Sequence, residues 1–195
     1  QVISSEYFIN KELSNDIYIW NGIYKLAFLR EYQIQLNETP GAAFQDCGFR
    51  YLVDIHLRRG MFLDKSFYRY RRDNSSSSTY QPKCVQYNLS ECKYLRERIE
   101  KEQITERKIL AFIARETVMM ALEPYITFRG CCKADDEIKA ALNEFREIIK
   151  KDREYGLLQQ EEMLPKHWIE MRLFTEYPEA CEAYIAISAD ARYAP

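Results

Sequence analysis

Glycine and proline are scarce in this sequence, which has only six of each among its 195 residues. Tight turns between β-strands draw on these two residue types, because glycine adopts positive φ angles and proline fixes its own φ. A sheet-rich fold needs many such turns and is therefore disfavoured. The composition fits long helices with few connections, and we predict an all-α protein.

Long apolar runs are also missing. A membrane-spanning helix needs about 18 or more consecutive apolar residues, and the closest stretch, residues 17–29, is interrupted by Asn21, Gly22 and Lys25. We therefore expect a soluble protein, for which peripheral association with a membrane complex stays open. The net charge of −2 creates no overall field that would attract nucleic acid, so nucleic acid is disfavoured as a partner.

Recognisable catalytic motifs are absent as well. The sequence contains no G-x-S-x-G, H-E-x-x-H, Walker or G-x-G-x-x-G motif. It has two histidines, His56 and His167, and no Cys-x-x-Cys pair of the kind that holds structural zinc. We predict no catalytic residue, cofactor-binding residue or metal ligand, and no cofactor. An enzyme that uses one of the histidines with a cysteine or carboxylate is the third interpretation of the chain.

Apolar residues recur at helical spacing along most of the sequence, which predicts a single helical domain over residues 1–195 with five or six helices. The first helix is expected to begin near Ser14 or Asn15 and to end before Thr39. A second is expected from about residue 44 to residue 60. The longest is predicted over about residues 90–123, begun by Ser90 and ended by Pro124.

Helix-terminating signals are clearest in the last third of the chain. Two aspartates at 135 and 136 favour the start of a helix, and Gly156 suits the position just beyond its end. Pro165 and Pro178 each suit the first turn of a further helix. The polar stretch 73–82 contains a serine run and ends in proline, which predicts a surface loop and the one place where the chain could divide into two domains.

Six cysteines and three N-x-S/T sequons favour a secretory history. The even cysteine count predicts at least two disulfides of undetermined pairing among Cys47, Cys84, Cys92, Cys131, Cys132 and Cys181. The candidate glycosylation sites are Asn37, Asn74 and Asn88. The chain begins at Gln1 without an initiator methionine, from which we expect a processed protein of an organelle or of the extracellular space.

Residues 58–72 form an arginine–aromatic segment. Six of its residues are basic, only Asp64 is acidic, and four aromatic residues lie among them. Arginine and aromatic side chains are enriched in protein interfaces and also serve nucleic-acid stacking surfaces. An amphipathic segment with solvated arginines is the simpler alternative. The partner-binding residues that we predict are Arg58, Arg59, Arg69, Tyr70, Arg71 and Arg72.

These features favour a non-enzymatic helical interaction protein, an accessory or scaffold subunit of a larger protein assembly. Aromatic residues make up 14% of the chain, more than a small bundle core readily buries, and interfaces use the excess. The alternative is a secreted, glycosylated and disulfide-stabilised helical ligand or binding protein. Glycans on the sequons and paired cysteines would favour that alternative.

Overall fold

The computed structural model describes residues 2–10, 18–39, 43–69, 83–128 and 136–193. Helices dominate these ranges, and the sheet seen in them consists of two strands of two residues each. The all-α prediction is confirmed. Six helices of 12 or more residues form the bundle, and two short helices of five and six residues precede them.

The elements follow one another along the chain in a simple order. The strands are β1 (Val2–Ile3) and β2 (Gly60–Met61), and single turns of 3-10 helix lie at Ile19–Asn21 and Gln160–Glu162. The α-helices are α1 (Ser5–Ile9), α2 (Leu26–Glu31), α3 (Gln45–His56), α4 (Cys84–Lys101), α5 (Arg107–Phe128), α6 (Asp136–Glu154), α7 (Pro165–Glu176) and α8 (Pro178–Tyr193).

Helices α4 and α5 lie at the centre of the bundle. Helix α4 packs against α3, α5 and α6, while α5 also contacts α1, α6, α7 and α8. The core between them is built from large apolar side chains that are almost completely buried, among them Leu52, Leu95, Phe112, Phe145 and Phe174. Each one-sided apolar stripe is thereby covered by another, as the periodicity requires.

Helix α6 shows how local signals set an element. Its buried residues Ile138, Leu142, Phe145 and Ile149 share one face, and the helix ends where Gly156 adopts a φ of 69°. The amide of Leu157 donates to the carbonyl of Asp152 at 2.9 Å, which closes the helix end with the hydrogen bond typical of a glycine cap. The predicted starts at Pro165 and Pro178 are likewise found, at α7 and α8.

The predicted long helix over residues 90–123 is wrong in its extent. The chain instead forms two helices, α4 and α5, separated by residues 102–106. The break occurs at Gln103, which takes a left-handed φ of 54°, and Ile104 N–H then donates to the carbonyl of Ile99 at 3.1 Å. Glycine is the usual residue at such a left-handed helix end. Because glutamine rarely adopts this conformation, the sequence does not indicate that the helix breaks here.

The sequence analysis predicts that Pro124 ends a helix, but Pro124 lies inside α5. A proline in a helix interior removes one hydrogen bond and costs about 3 kcal/mol. Its neighbours Ala121, Leu122, Tyr125 and Ile126 are all buried, and their packing holds this stretch of α5 in place. Burial thus overrides the local preference.

The predicted first helix is also replaced by irregular structure. Residues 11–17 lie outside the described ranges; from Tyr18 onwards the chain makes one 3-10 turn, runs extended, and forms only the short helix α2. Apolar residues at helical spacing do not reveal that the backbone at Gly22 is extended, with φ −122° and ψ 153°, which interrupts a helix there. The following helix, α3, is found, but it ends at His56, four residues before the predicted end at residue 60.

The prediction of at least two disulfides is not supported. Cys47, Cys84, Cys92 and Cys181 are free thiols, and Cys131 and Cys132 lie outside the described residues. Cys84 and Cys92 are eight residues apart in α4, or about 12 Å along its axis, which is beyond the reach of a disulfide. Apart from the half-buried Cys47, these cysteines serve as small buried residues of the core.

Thiol titration of the denatured, unreduced protein should therefore find at least four free thiols, because none of these four cysteines is paired in the folded chain. The measurement is a count of thiols that react with a chromogenic disulfide reagent in strong denaturant. A count of two or fewer would contradict the structure and restore the disulfide prediction.

A partly buried ion pair connects α4 and α6 and also contacts α5. The Arg96 guanidinium on α4 forms a two-pronged contact with the Asp152 carboxylate on α6, one arm of which is 3.0 Å long. The same guanidinium donates to Thr117 Oγ1 on α5 at 3.0 Å. Asp152 is only 3% exposed, and among the described residues Arg96 is the cation that compensates its charge.

Replacing this arginine should destabilise the protein strongly. Arg96→Ala leaves the buried Asp152 carboxylate without its guanidinium partner, and we expect the free energy of unfolding to fall by about 1.5–3 kcal/mol, because the Arg96 side chain is itself 31% exposed and water can replace part of the contact. The control is Arg172→Ala, which removes an exposed contact to Glu176 and should have a much smaller effect. Urea denaturation measures the free energy of unfolding of both variants. Equal losses would show that the Arg96–Asp152 pair contributes no more to stability than an exposed ion pair.

Candidate partner-binding surface

The two-stranded sheet places apolar side chains on its outer side. Val2 pairs with Met61 and Ile3 pairs with Gly60 in antiparallel register. Ile3 is buried, whereas Val2 is 59% and Met61 64% exposed. Because residues opposite each other in a sheet point to the same face, Val2 and Met61 together form an apolar pair on the surface.

The arginine–aromatic segment continues directly from β2. Its described part beyond this strand is exposed to solvent. All residues from 61 to 69 are exposed, and the chain has no regular secondary structure after Met61, with a bend at Asp64. Leu63 is 55% and Phe67 72% exposed. Within the described part of the chain, the backbone of residues 62–69 makes no hydrogen bond to another backbone group.

Aromatic contacts hold the segment on the body of the protein at two points. The ring of Phe62 meets Tyr7 of α1 edge-on at 5.4 Å, and the ring of Tyr68 lies 6.0 Å from that of Trp20. Trp20 is in turn stacked on Tyr18 at 4.7 Å. The sequence analysis misses Tyr7, Tyr18 and Trp20 as parts of this surface, because they lie 40 or more residues from their partners in the chain.

The segment is cationic, but its arginines are not equivalent. Arg59, Lys65 and Arg69 are exposed, and Asp64 is the one acid among residues 58–69. Arg58 instead contacts the Glu31 carboxylate at 2.7 Å and lies over the ring of Tyr32 at 5.3 Å. It is thus engaged by its own chain. The remaining predicted partner-binding residues, Tyr70, Arg71 and Arg72, lie outside the described residues, as does the predicted serine-rich loop at 73–82.

Exposed apolar side chains are concentrated near this segment in the chain. Of the fourteen large apolar side chains that are exposed in the described residues, ten lie between residues 2 and 68. None lies on α4 or in the described part of α5, the two central helices. An apolar surface of this kind is typical of a contact site, because scattered single residues would not favour one part of the chain.

The described sequons differ in accessibility. Asn88 lies inside α4, is 2% exposed and donates to the carbonyl of Cys84 at 2.9 Å, so the folded chain has no space for a glycan there. Asn37 is half-buried, and its amide donates to Glu91 Oε1 at 3.0 Å. Asn74 lies outside the described residues. One of the three candidate glycosylation sites is therefore structural.

The contacts of His56, one of the two candidate bases, connect separate elements of the fold. Its ring is stacked on Tyr32 at 4.4 Å, and its Nε2 lies 2.8 Å from Glu102 Oε2. Burial lowers the pKa of His56, against the opposing effect of Glu102. The contacts join the end of α3 to the end of α4. His167 lies near the start of α7 and is half-buried.

A buried polar cluster, the Arg50 cluster, lies between α3 and α5. It consists of Asp46, Arg50 and Asp54, which follow each other at four-residue spacing on α3, and Glu116 of α5, whose carboxylate lies 3.5 Å from the Arg50 guanidinium. Asp54 is 1% exposed, and its Oδ2 atom has no hydrogen-bond partner among the described residues. Burial, and secondarily the charge of Glu116, raise its pKa to about 7 although Arg50 opposes this.

Cys47, next to this cluster, is unsuited to nucleophilic chemistry. Burial and the neighbouring carboxylates raise the pKa of its thiol to about 12, which keeps the thiol protonated at neutral pH. In the ranges that the structure describes, no group of three or more His, Cys, Asp or Glu side chains could hold a metal ion. The Arg50 cluster therefore has the character of an internal polar network.

A second buried carboxylate joins α4 to α3 and to the preceding loop. Glu91 Oε2 accepts from the Gly48 amide at 3.3 Å, while Oε1 accepts from Asn37 at 3.0 Å. A Cβ at position 48 would lie 2.7 Å from Glu91 Oε2, so only glycine permits this approach. Burial raises the pKa of Glu91 to about 7 although both hydrogen bonds lower it.

These pKa values predict that the protein is less stable above neutral pH. The folded chain retains protons on Asp54 and Glu91 that the unfolded chain releases at its ordinary pKa values of 3.8 and 4.5. The free energy of unfolding should therefore fall as the pH rises from about 4 to about 7. His56 acts in the opposite sense, because its lowered pKa costs stability as the pH falls below 6.5, and it reduces the net slope.

Asp54→Asn tests how much the Asp54 carboxyl contributes to this pH dependence of stability. Relative to the wild type, this variant should gain roughly 1–3 kcal/mol at pH 8 and change little at pH 4, as measured by urea denaturation at both values. Glu100→Gln, at an exposed position of α4, should keep the wild-type dependence. An equal effect of Asp54→Asn at both values of pH would mean that Asp54 is already ionised in the folded protein.

Comparison of the chain with protein-family models, with curated proteins and with solved structures gave no match. In the described ranges, each helix is too short or too polar to cross a bilayer. The contacts and exposures of this chain are thus what a functional interpretation has to rest on.

Proposed function

We propose that this protein is a non-enzymatic helical interaction protein, an accessory or scaffold subunit that binds a larger protein assembly. Its partner-binding surface is the outer side of the β1–β2 sheet together with residues 59–69. The observation that carries the proposal is the exposure of residues 61–69, which hold Met61, Leu63 and Phe67 in solvent beside two cations. Large apolar and aromatic side chains anchor protein interfaces.

The rest of the protein is suited to supporting this surface. The Arg50 cluster and the Glu91 contacts lie inside the bundle, where they join helices. The described histidine with the most unusual surroundings, His56, stacks on Tyr32 and contacts Glu102. Structural ion-pair networks perturb pKa values as active sites do, so the raised values of Asp54 and Glu91 fit this interpretation equally well.

The secretory alternative has less support than it has from the sequence alone. Four of the six cysteines that motivate it are free, and the sequon at Asn88 is buried in α4. Buried free thiols are typical of proteins that do not depend on disulfides. We therefore place the interaction protein first.

Removing the exposed anchors tests the proposal. Leu63→Ala with Phe67→Ala should release the protein from its assembly in affinity purification from the native source, because interface anchors of this size each contribute about 2 kcal/mol or more. Helicity and melting temperature should stay near the wild-type values, since both side chains are more than half exposed. The readout is the set of proteins that co-purify in constant proportion.

The matched control is Tyr155→Ala with Ile169→Ala, which removes apolar side chains that are 77% and 57% exposed elsewhere on the protein. This variant should retain the assembly. The proposed surface is wrong if both double variants retain the same proteins, or if the first one unfolds.

A further inference from the structure

The exposed part of the arginine–aromatic segment has a chemical character that restricts what can bind it. Over residues 58–69 there are four cations and one carboxylate, whereas the whole chain carries a net charge of −2. The segment is therefore a local positive site on a protein whose remaining surface is acidic. A partner that approaches the protein through favourable electrostatics must carry negative charge where it meets this segment.

Among the described residues of the segment, the cations that form no ion pair within the described chain lie to either side of the apolar anchors. Arg58 is occupied by Glu31 and Tyr32, which leaves Arg59 ahead of the sheet and Lys65 and Arg69 beyond it. Phe67 lies between Lys65 and Arg69 in the chain, and it is 72% exposed. An anchor between two cations matches an apolar pocket or side chain whose rim carries carboxylates.

Protein is favoured over the other acidic macromolecules. Nucleic acid binds through many phosphate contacts, whereas the described surface offers few exposed cations, and its anchors Val2, Met61 and Leu63 have no ring on which a base could stack. An anionic membrane would draw the cations but would be repelled by the net negative charge of the rest of the chain. A second copy of the chain would bring four cations against four cations.

We infer that the surface made of Val2, Met61, Leu63, Lys65, Phe67 and Arg69 binds an acidic protein segment, one in which Asp or Glu residues flank a large apolar side chain. The inference rests on the proposed function and specifies its partner. The apolar anchors supply the buried contact, while Lys65 and Arg69 select a partner with carboxylates at the rim and speed its association.

Charge reversal separates this inference from the proposed function. Lys65→Glu with Arg69→Glu should raise the Kd for the partner of the native complex about tenfold or more, and the wild-type Kd should rise with salt. The control, Lys83→Glu with Lys108→Glu, reverses two exposed cations at the starts of α4 and α5 and should leave the Kd unchanged. Both variants should retain wild-type helicity and melting temperature.

A zero-length carbodiimide cross-link identifies the contact directly. In the intact native complex this reagent should join Lys65 Nζ to a partner Asp or Glu, detected by mass spectrometry of the digested product. Lys65→Arg keeps the charge but removes the amine, so the complex should persist while this cross-link disappears.

The outcomes are distinct. Loss of the partner by Leu63→Ala with Phe67→Ala but not by charge reversal overturns the acidic partner and leaves the proposed function standing. Retention of the partner by both overturns the surface altogether. Binding of the isolated protein to vesicles of phosphatidylcholine and phosphatidylserine, abolished by charge reversal, would assign the surface to a membrane. A dimer in sedimentation that the same variant dissociates would assign it to a second copy of the chain.

Discussion

The buried contact between Arg96 and Asp152 is the constraint on which the bundle depends. It joins α4 to α6 and, through Thr117, to α5, so the relative positions of three helices are fixed by one guanidinium. A buried charge without its partner is far more costly than an exposed one. Any arrangement that separates these helices therefore loses both the ion pair and the apolar packing around Phe112 and Phe145.

The same helix that carries Arg96 also holds the N-terminal part of the chain. Arg98 donates to the carbonyls of Tyr32 and Gln33 at 2.9 Å, and the Tyr94 hydroxyl donates to the carbonyl of Gln35 at 3.0 Å. Tyr32 in turn stacks on His56 at the end of α3. Since β2 begins four residues after α3, these contacts fix the point from which the arginine–aromatic segment leaves the bundle.

Beyond that point the segment is held by rings rather than by backbone hydrogen bonds. Phe62 and Tyr68 contact Tyr7 and Trp20, while Leu63 and Phe67 between them stay exposed. This arrangement presents apolar anchors from a largely preset position, which lowers the conformational entropy lost when a partner binds. A stable helical body with one such surface is the architecture expected of a subunit that docks onto a larger assembly.

The sequence alone determines those features that depend on neighbouring residues. The helical class follows from scarce turn residues, the end of α6 from Gly156, and the starts of α7 and α8 from their prolines. The position of the cationic, aromatic segment is likewise visible in the sequence, although Tyr70, Arg71 and Arg72 stay outside the described residues.

Only the tertiary structure decides what depends on distant contacts. Packing keeps Pro124 inside α5, the break falls at a left-handed Gln103, and the helical geometry of α4 buries Asn88 and keeps Cys84 and Cys92 from forming a disulfide with each other. Arg58 donates a hydrogen bond to Glu31, 27 residues away in the chain, and Arg96 donates one to Asp152, 56 residues away. Pairings over such distances have no local signature, because they are selected by the free energy of the packed whole rather than by any short stretch of chain.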